Sequence, residues 1–126
     1  MSPAALVLVV DDDEGLRDAL ETILEHEGYR VRVAANGRAA LAQVAETSPD
    51  LILLDVRMPV MDGRGFVEAY RQMPGPHAAI VILTASEDAA TNIEDIGADA
   101  CLMKPIELTD LLDAVRKHTG AGEGKV

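Results

Sequence analysis

Cysteine is almost absent from this sequence: Cys101 is the only one among 126 residues. That excludes an internal disulfide and a cysteine-type metal site, and it suits a reducing compartment. Basic residues are scarce as well, 11 against 22 acidic ones, for a net charge of -11. Such a charge repels a phosphate backbone, so direct nucleic-acid binding by this chain alone is not expected, and a basic or metal-bearing partner is favoured. No apolar stretch is longer than a strand, and Met1-Ser2-Pro3 lacks the basic start of a signal peptide. Neither a membrane span nor secretion is expected, and the chain reads as cytoplasmic. Repeats, linkers and low-complexity tracts are missing too. What remains is a single domain over 1–126, with a core from about 5 to 119 and a flexible tail over 120–126.

What is present is a series of short apolar runs, each closed by turn or polar residues. Ala5 to Val10 stops at Asp11-Asp12-Asp13, and Leu51 to Leu54 stops at Asp55 before Arg57, Met58 and Pro59. Runs of this kind, apolar without alternation, mark strands buried on both faces. Ala79 to Leu83 ends at Thr84, and Ala100 to Met103 ends at Lys104-Pro105. Tyr29 to Ala34 instead alternates valine with arginine, as an edge strand with one wet face would. Between the strands, apolar residues recur at helical spacing over Glu14–Glu27, beyond Asn36-Gly37, beyond Asp62-Gly63, over Ser86–Ile96 and from Leu108 onward. Asp13 is a candidate N-cap and Gly28 a stop signal. The Ser86–Ile96 helix is short and weakly anchored, with Ala89, Ala90, Ile93 and Ile96 as its whole apolar stripe.

Five strands alternating with five helices predict an α/β fold of three layers, a doubly wound five-stranded parallel sheet with helices on both faces. In the order 2-1-3-4-5 the first and third strands are neighbours at the switch point, so Asp11, Asp12, Asp55, Thr84 and Lys104 would converge on one pocket. Three ionised carboxylates that close repel one another and call for a cation. Hard oxygen ligands with room for water and phosphate suit Mg²⁺. The Lys104 ammonium can then neutralise phosphoryl oxygens, and the Thr84 hydroxyl can donate a hydrogen bond to one.

The acidic pair after the first strand, D-x-x-M-P-x-x-D-G around Asp55, the Thr84-Ala85 step and the Lys104-Pro105 step together resemble the receiver domain of bacterial two-component response regulators. The resemblance spans Leu6 to about His118 and is strongest with the single-domain, chemotaxis-regulator-like members. It implies a flavodoxin-like fold and a phosphorelay role, with Asp55 accepting a phosphoryl group from a sensor histidine kinase or phosphotransfer protein. It also implies that Asp12, Asp55 and the backbone carbonyl of Arg57 ligate Mg²⁺ with Asp11 acting through water, and that Thr84 and Lys104 sense the phosphoryl group. A downstream protein target, and a monomer or weak phosphorylation-dependent dimer, follow from the same likeness. No enzyme activity is implied beyond the domain's own phosphoryl transfer and dephosphorylation.

Any one of these residues has a plainer reading. A lone aspartate at a strand end is usually a helix cap or solvated turn, and only the joint placement on four strand ends makes the case. His26, His77 and His118 are scattered and read as solvent-facing; Met58, Met61, Met73 and Met103 read as packing, and Cys101 as an inert small hydrophobe. Cys101 also stands where the family often has an aromatic residue. A receiver cut from a longer DNA-binding regulator or hybrid histidine kinase would look the same. An Mg²⁺-dependent phosphatase with an aspartate nucleophile would want a second aspartate two residues on, where this chain has Arg57.

Overall fold

Strand and helix alternate along the chain as the apolar runs and caps require, over the residues 4–85 and 93–119 that the computed structural model describes. The strands are β1 (Leu6–Val10), β2 (Arg30–Ala34), β3 (Leu51–Asp55), β4 (Ala79–Thr84) and β5 (Ala100–Met103). They form one parallel sheet in the order β2-β1-β3-β4-β5, as the sequence predicts. The helices are α1 (Glu14–His26), α2 (Gly37–Glu46), α3 (Gly63–Gln72) and α4 (Leu108–Thr119).

Among the described residues these are the four helices longer than a single turn, where five were expected. Of the helix placed over Ser86–Ile96, residues 86–92 lie outside the described residues, and the described part is the single turn Ile93–Ile96. A short helix gains few hydrogen bonds for the cost of its first turn and depends on tertiary packing; in this turn Ile96 is buried and Ile93 only half-buried. The turn is held to α3 by an Arg64–Asp95 ion pair at 3.5 Å and by an Arg71 hydrogen bond to the carbonyl of Gly97. The tail over 120–126 also lies outside the described residues.

Side chains alternate across a strand, and here each parity has its own core. Leu8, Val10, Ile52, Leu54, Ile80 and Ile82 face α2, α3 and Ile96, where Phe66, Val67 and Tyr70 are buried. Val7, Val9, Leu51, Leu53, Val81 and Leu83 face α1 and α4, where Leu20, Leu24, Leu111 and Val115 are buried. The edge strand β2 keeps Arg30 and Arg32 exposed and Val31 and Val33 half-buried. Two aspartates close the opposite end of the sheet: Asp50 and Asp99 each accept from a strand amide, Leu6 and Ile80, while donating their own amide to that residue's carbonyl.

The helix starts follow capping chemistry. Asp13, Asn36 and Asp62 each accept a hydrogen bond from the amide three residues on, at 3.2, 2.8 and 2.9 Å. Each such cap is worth about 1 kcal/mol. Gly28 ends α1 with φ at 98°, a conformation that glycine adopts without a Cβ clash.

Three minor expectations need correction. His77 and His118 are half-buried rather than solvent-facing. His77 stacks edge-on against Tyr70 and lies 2.8 Å from the Met73 carbonyl, while His118 lies 2.9 Å from that of Ala114; each ring thus has a backbone acceptor four residues back in the chain. Met103 is not a packing residue, since 42% of its surface is exposed at the end of β5.

Candidate functional site

The carboxyl ends of β1, β3, β4 and β5 meet at one edge of the sheet, and the register decides which groups adjoin. Val10 pairs with Leu54, so Asp11 and Asp55, the next residues, leave the sheet side by side. Asp55 in turn pairs with Leu83, one residue before Thr84. On the far side, the Lys104 amide donates to the Thr84 carbonyl at 2.8 Å, which ties the start of the β5–α4 loop to the end of β4.

Those pairings bring the acidic groups together. One carboxylate oxygen from each of Asp11, Asp12 and Asp55 lies within 4.8 Å of the others. Asp11 is fully buried and Asp55 and Thr84 nearly so, whereas Asp12 is exposed. Lys104 Nζ donates to Asp11 Oδ2 at 2.8 Å and lies 3.7 Å from Asp55 Oδ2. Asp55 Oδ1 accepts from the Arg57 amide at 3.3 Å. The side chains of Asp11, Asp12, Asp55 and Lys104 therefore come together, Thr84 ends the neighbouring strand with its side chain nearly buried, and the Arg57 side chain is exposed.

Burial pushes the Asp55 carboxyl up to about 6, with help from the charges of Asp11 and Asp12 and against the pull of Lys104 and the Arg57 amide. Burial lowers the Lys104 ammonium, but the hydrogen bond to Asp11 and the three carboxylates outweigh it and leave the group raised. Both shifts describe an anionic cluster short of positive charge. Three oxygen donors of hard character, one on an exposed side chain open to solvent, fit a divalent cation that keeps part of its water.

The sequence profile of the response regulator receiver domain matches residues 7–116. The chain belongs to the response regulator receiver family. It is 40% identical to the response regulator MprA of Mycolicibacterium vanbaalenii, over 93% of this chain and 54% of that protein. It thus spans about half the length of the curated relatives it matches. Among solved structures it resembles a response regulator from Chloroflexus aurantiacus at 33% identity, covering 93% of this chain and 98% of that one with a TM-score of 0.86. The chemotaxis protein CheY4 of Vibrio cholerae is 36% identical, with coverages of 91% and 98% and a TM-score of 0.83. A receiver of two-component signalling thus accounts for both the fold and the acidic cluster.

Several residues that shape this receiver's pocket carry no periodic or charge signal in the sequence. The loop from Val56 to Asp62 is pinned from both sides: Gly63 donates its amide to Val56 O at 2.9 Å, and Gly37 donates to Met61 O at 2.8 Å. A Cβ at Gly37 would fall 2.8 Å from that same Met61 oxygen. The glycines were legible only as turn and helix-start signals; the close approach is tertiary. Cys101 packs half-buried against the α2–α3 core, and burial raises its thiol, in keeping with an inert small hydrophobe.

Val60, in the same loop, has φ at 70° and is 72% exposed. A branched side chain there costs roughly 1–2 kcal/mol of strain, and little packing offsets it. Val60→Gly is expected to stabilise the domain by up to about 1 kcal/mol, part of the gain being lost to glycine's greater freedom when unfolded. Urea denaturation would show this as a higher midpoint at unchanged slope; a lower midpoint would mean that Val60 makes contacts worth more than its strain.

Proposed function

We propose that this receiver accepts a phosphoryl group on Asp55 from the phosphohistidine of a sensor histidine kinase or phosphotransfer protein, and that the change alters its affinity for a downstream protein target. The observation that carries this reading is the site itself. A nearly buried carboxylate at a strand end has two further carboxylates within 4.8 Å and an ammonium within 3.7 Å, an arrangement that serves an incoming phosphoryl group better than it serves stability.

Asp11, Asp12, Asp55 and the backbone carbonyl of Arg57 are the groups that would hold Mg²⁺, with Asp11 acting through water. When bound, Mg²⁺ supplies charge neutralisation for the phosphoryl oxygens as they approach the carboxylates. The chain's own residues do the rest. With its carboxyl at about 6, Asp55 is largely ionised at neutral pH and can attack in line. An Asp55 oxygen–phosphorus bond forms as the phosphorus–nitrogen bond of the donor breaks, and the electron pair leaves with the imidazole. Such a transfer needs positioning and charge compensation more than proton chemistry. Lys104 moves its charge from Asp11 toward a phosphoryl oxygen, and the Thr84 hydroxyl donates to another, with a charge-assisted bond roughly twice as strong as a neutral one.

The domain's only chemistry in this reading is its own phosphorylation and dephosphorylation. Among the described residues no helix is long and apolar enough to cross a membrane, and the net charge of -11 disfavours DNA as a direct ligand. A cytoplasmic setting, and a monomer or weak phosphorylation-dependent dimer, complete the reading. Because the curated relatives are about twice as long, a receiver that serves a longer DNA-binding regulator or hybrid histidine kinase is the second reading.

With Mg²⁺ and acetyl phosphate, the wild-type domain should gain one phosphoryl group by intact mass, and Asp55→Asn should gain none. Labelling of Asp55→Asn, or of wild type in excess chelator, would overturn the assignment.

A further inference from the structure

Asp11 is fixed at four points by groups from four different parts of the chain. Its amide donates to Ala34 O of β2 at 3.1 Å, and its Oδ1 accepts from the Asp13 amide at 2.9 Å. Its Oδ2 accepts from Lys104 at 2.8 Å, and its main-chain carbonyl accepts from the Arg17 guanidinium at 2.9 Å. The first three contacts belong to the sheet, the loop and the phosphoryl site. The fourth belongs to none of them. Arg17 lies early in α1, in a chain rich in carboxylates, yet its half-buried guanidinium is committed to a backbone oxygen.

That oxygen is part of the peptide joining Asp11 to Asp12. Holding it fixes the peptide plane, and with it the direction in which the Asp12 side chain leaves the backbone. Asp12 is exposed, so its aim depends on its backbone far more than does that of buried Asp11. We propose that Arg17 is a positioning residue that locks the Asp11–Asp12 peptide and so aims the Asp12 carboxylate at the cation. This rests on the reading of Asp11, Asp12 and Asp55 as the Mg²⁺ seat. Groups that orient metal ligands without touching the metal commonly matter for affinity by factors of roughly 10 to 100. Arginine suits the task because its planar fork stays charged at every relevant pH.

The sign of the effect separates positioning from charge. A guanidinium beside a cation seat repels the cation, so by Coulomb's law alone its removal would tighten Mg²⁺ binding. Loss of aim would weaken it instead.

The test is calorimetric titration of the phosphate-free domain with Mg²⁺ for wild type, Arg17→Ala, Asp12→Ala and the double variant. Arg17→Ala should weaken binding about 10-fold, Arg17→Lys should recover part of that, and Arg17→Ala should add almost nothing once Asp12 is alanine. Unchanged or tighter binding by Arg17→Ala would overturn the proposal, as would an equal loss in both backgrounds, which a general disturbance of the fold would give. If Arg17→Ala does not fold, Arg17→Lys against Asp12→Ala,Arg17→Lys decides by the same comparison. Wild type that does not bind Mg²⁺ at all would overturn the seat and the proposal together, whereas normal wild-type binding with an indifferent Arg17 would overturn the proposal alone.

Discussion

At neutral pH and without Mg²⁺, Asp55→Asn is expected to be more stable than the wild-type domain, and the gap is expected to close as the pH falls through about 6 toward 4. The folded chain holds the Asp55 proton more tightly than the unfolded chain, since burial and the neighbouring Asp11 raise the carboxyl from 3.8 to about 6. For an acid shifted in this direction the sign is opposite to that of a salt-bridged carboxylate. Below 3.8 both states are protonated and the site costs nothing; between 3.8 and 6 stability falls as the pH rises; above 6 the full cost is present. At about 1.4 kcal/mol per pH unit, that cost is at most ~3 kcal/mol. Asparagine cannot ionise and escapes it, while Lys104 keeps its partner Asp11 at 2.8 Å. Urea denaturation in chelator across this pH range measures the difference between the two proteins, which isolates Asp55 from carboxylates of ordinary sign elsewhere. Added Mg²⁺ should return much of the lost stability to wild type, about 2.7 kcal/mol at a hundredfold excess over Kd. An Asp55→Asn difference that is flat with pH, or destabilising at neutral pH, would mean the pocket is less anionic than its geometry implies.

The parts of the site that could be read from the sequence are those governed by short-range pattern. A buried strand is apolar along its length, so the first polar residue after it marks the sheet's edge, and Asp11, Asp55, Thr84 and Lys104 were found that way. Given the doubly wound order 2-1-3-4-5, the rule that ligands gather at the switch point then places these residues at one site. Caps at Asp13, Asn36 and Asp62 are equally local, each bonding three residues on. Contacts across the fold have no such signal. Arg17 looks like one more charge on a wet helix face, and only the packed loop shows that it serves the Asp11 carbonyl. Asp50 and Asp99 carry no local signal at all, yet each closes a ring with a strand that precedes it in the chain. Of the short helix expected over Ser86–Ile96, only the turn Ile93–Ile96 falls among the described residues, and so short an element depends on tertiary support such as the burial of Ile96.

Gly63→Ala is expected to impair both stability and phosphoryl acceptance, because Gly63 sits where two stretches of backbone nearly touch. A Cβ there would lie 2.7 Å from the carbonyl oxygen of Asp55 and 2.9 Å from the Cα of Val56. Neither atom belongs to a side chain that can swing away, so the chain must move. The Gly63 amide also donates to Val56 O at 2.9 Å, and the movement that relieves the clash lengthens that bond. Overpacking of this kind costs about 1–3 kcal/mol, and the displaced segment carries both the nucleophile and the Arg57 amide that bonds it. Shifts on the order of 1 Å in a reacting group can lower rates roughly 100-fold. Phosphorylation by acetyl phosphate should therefore slow far more than the loss of folded protein explains. Gly15→Ala is the control: it lies in α1, a Cβ there meets nothing nearer than Asp13 Oδ1 at 3.4 Å, and helix propensity favours alanine by up to about 1 kcal/mol. The pair of variants should then move in opposite directions in thermal denaturation. If Gly63→Ala keeps wild-type stability and labelling rate, the β3–α3 loop tolerates displacement and does not set the position of Asp55.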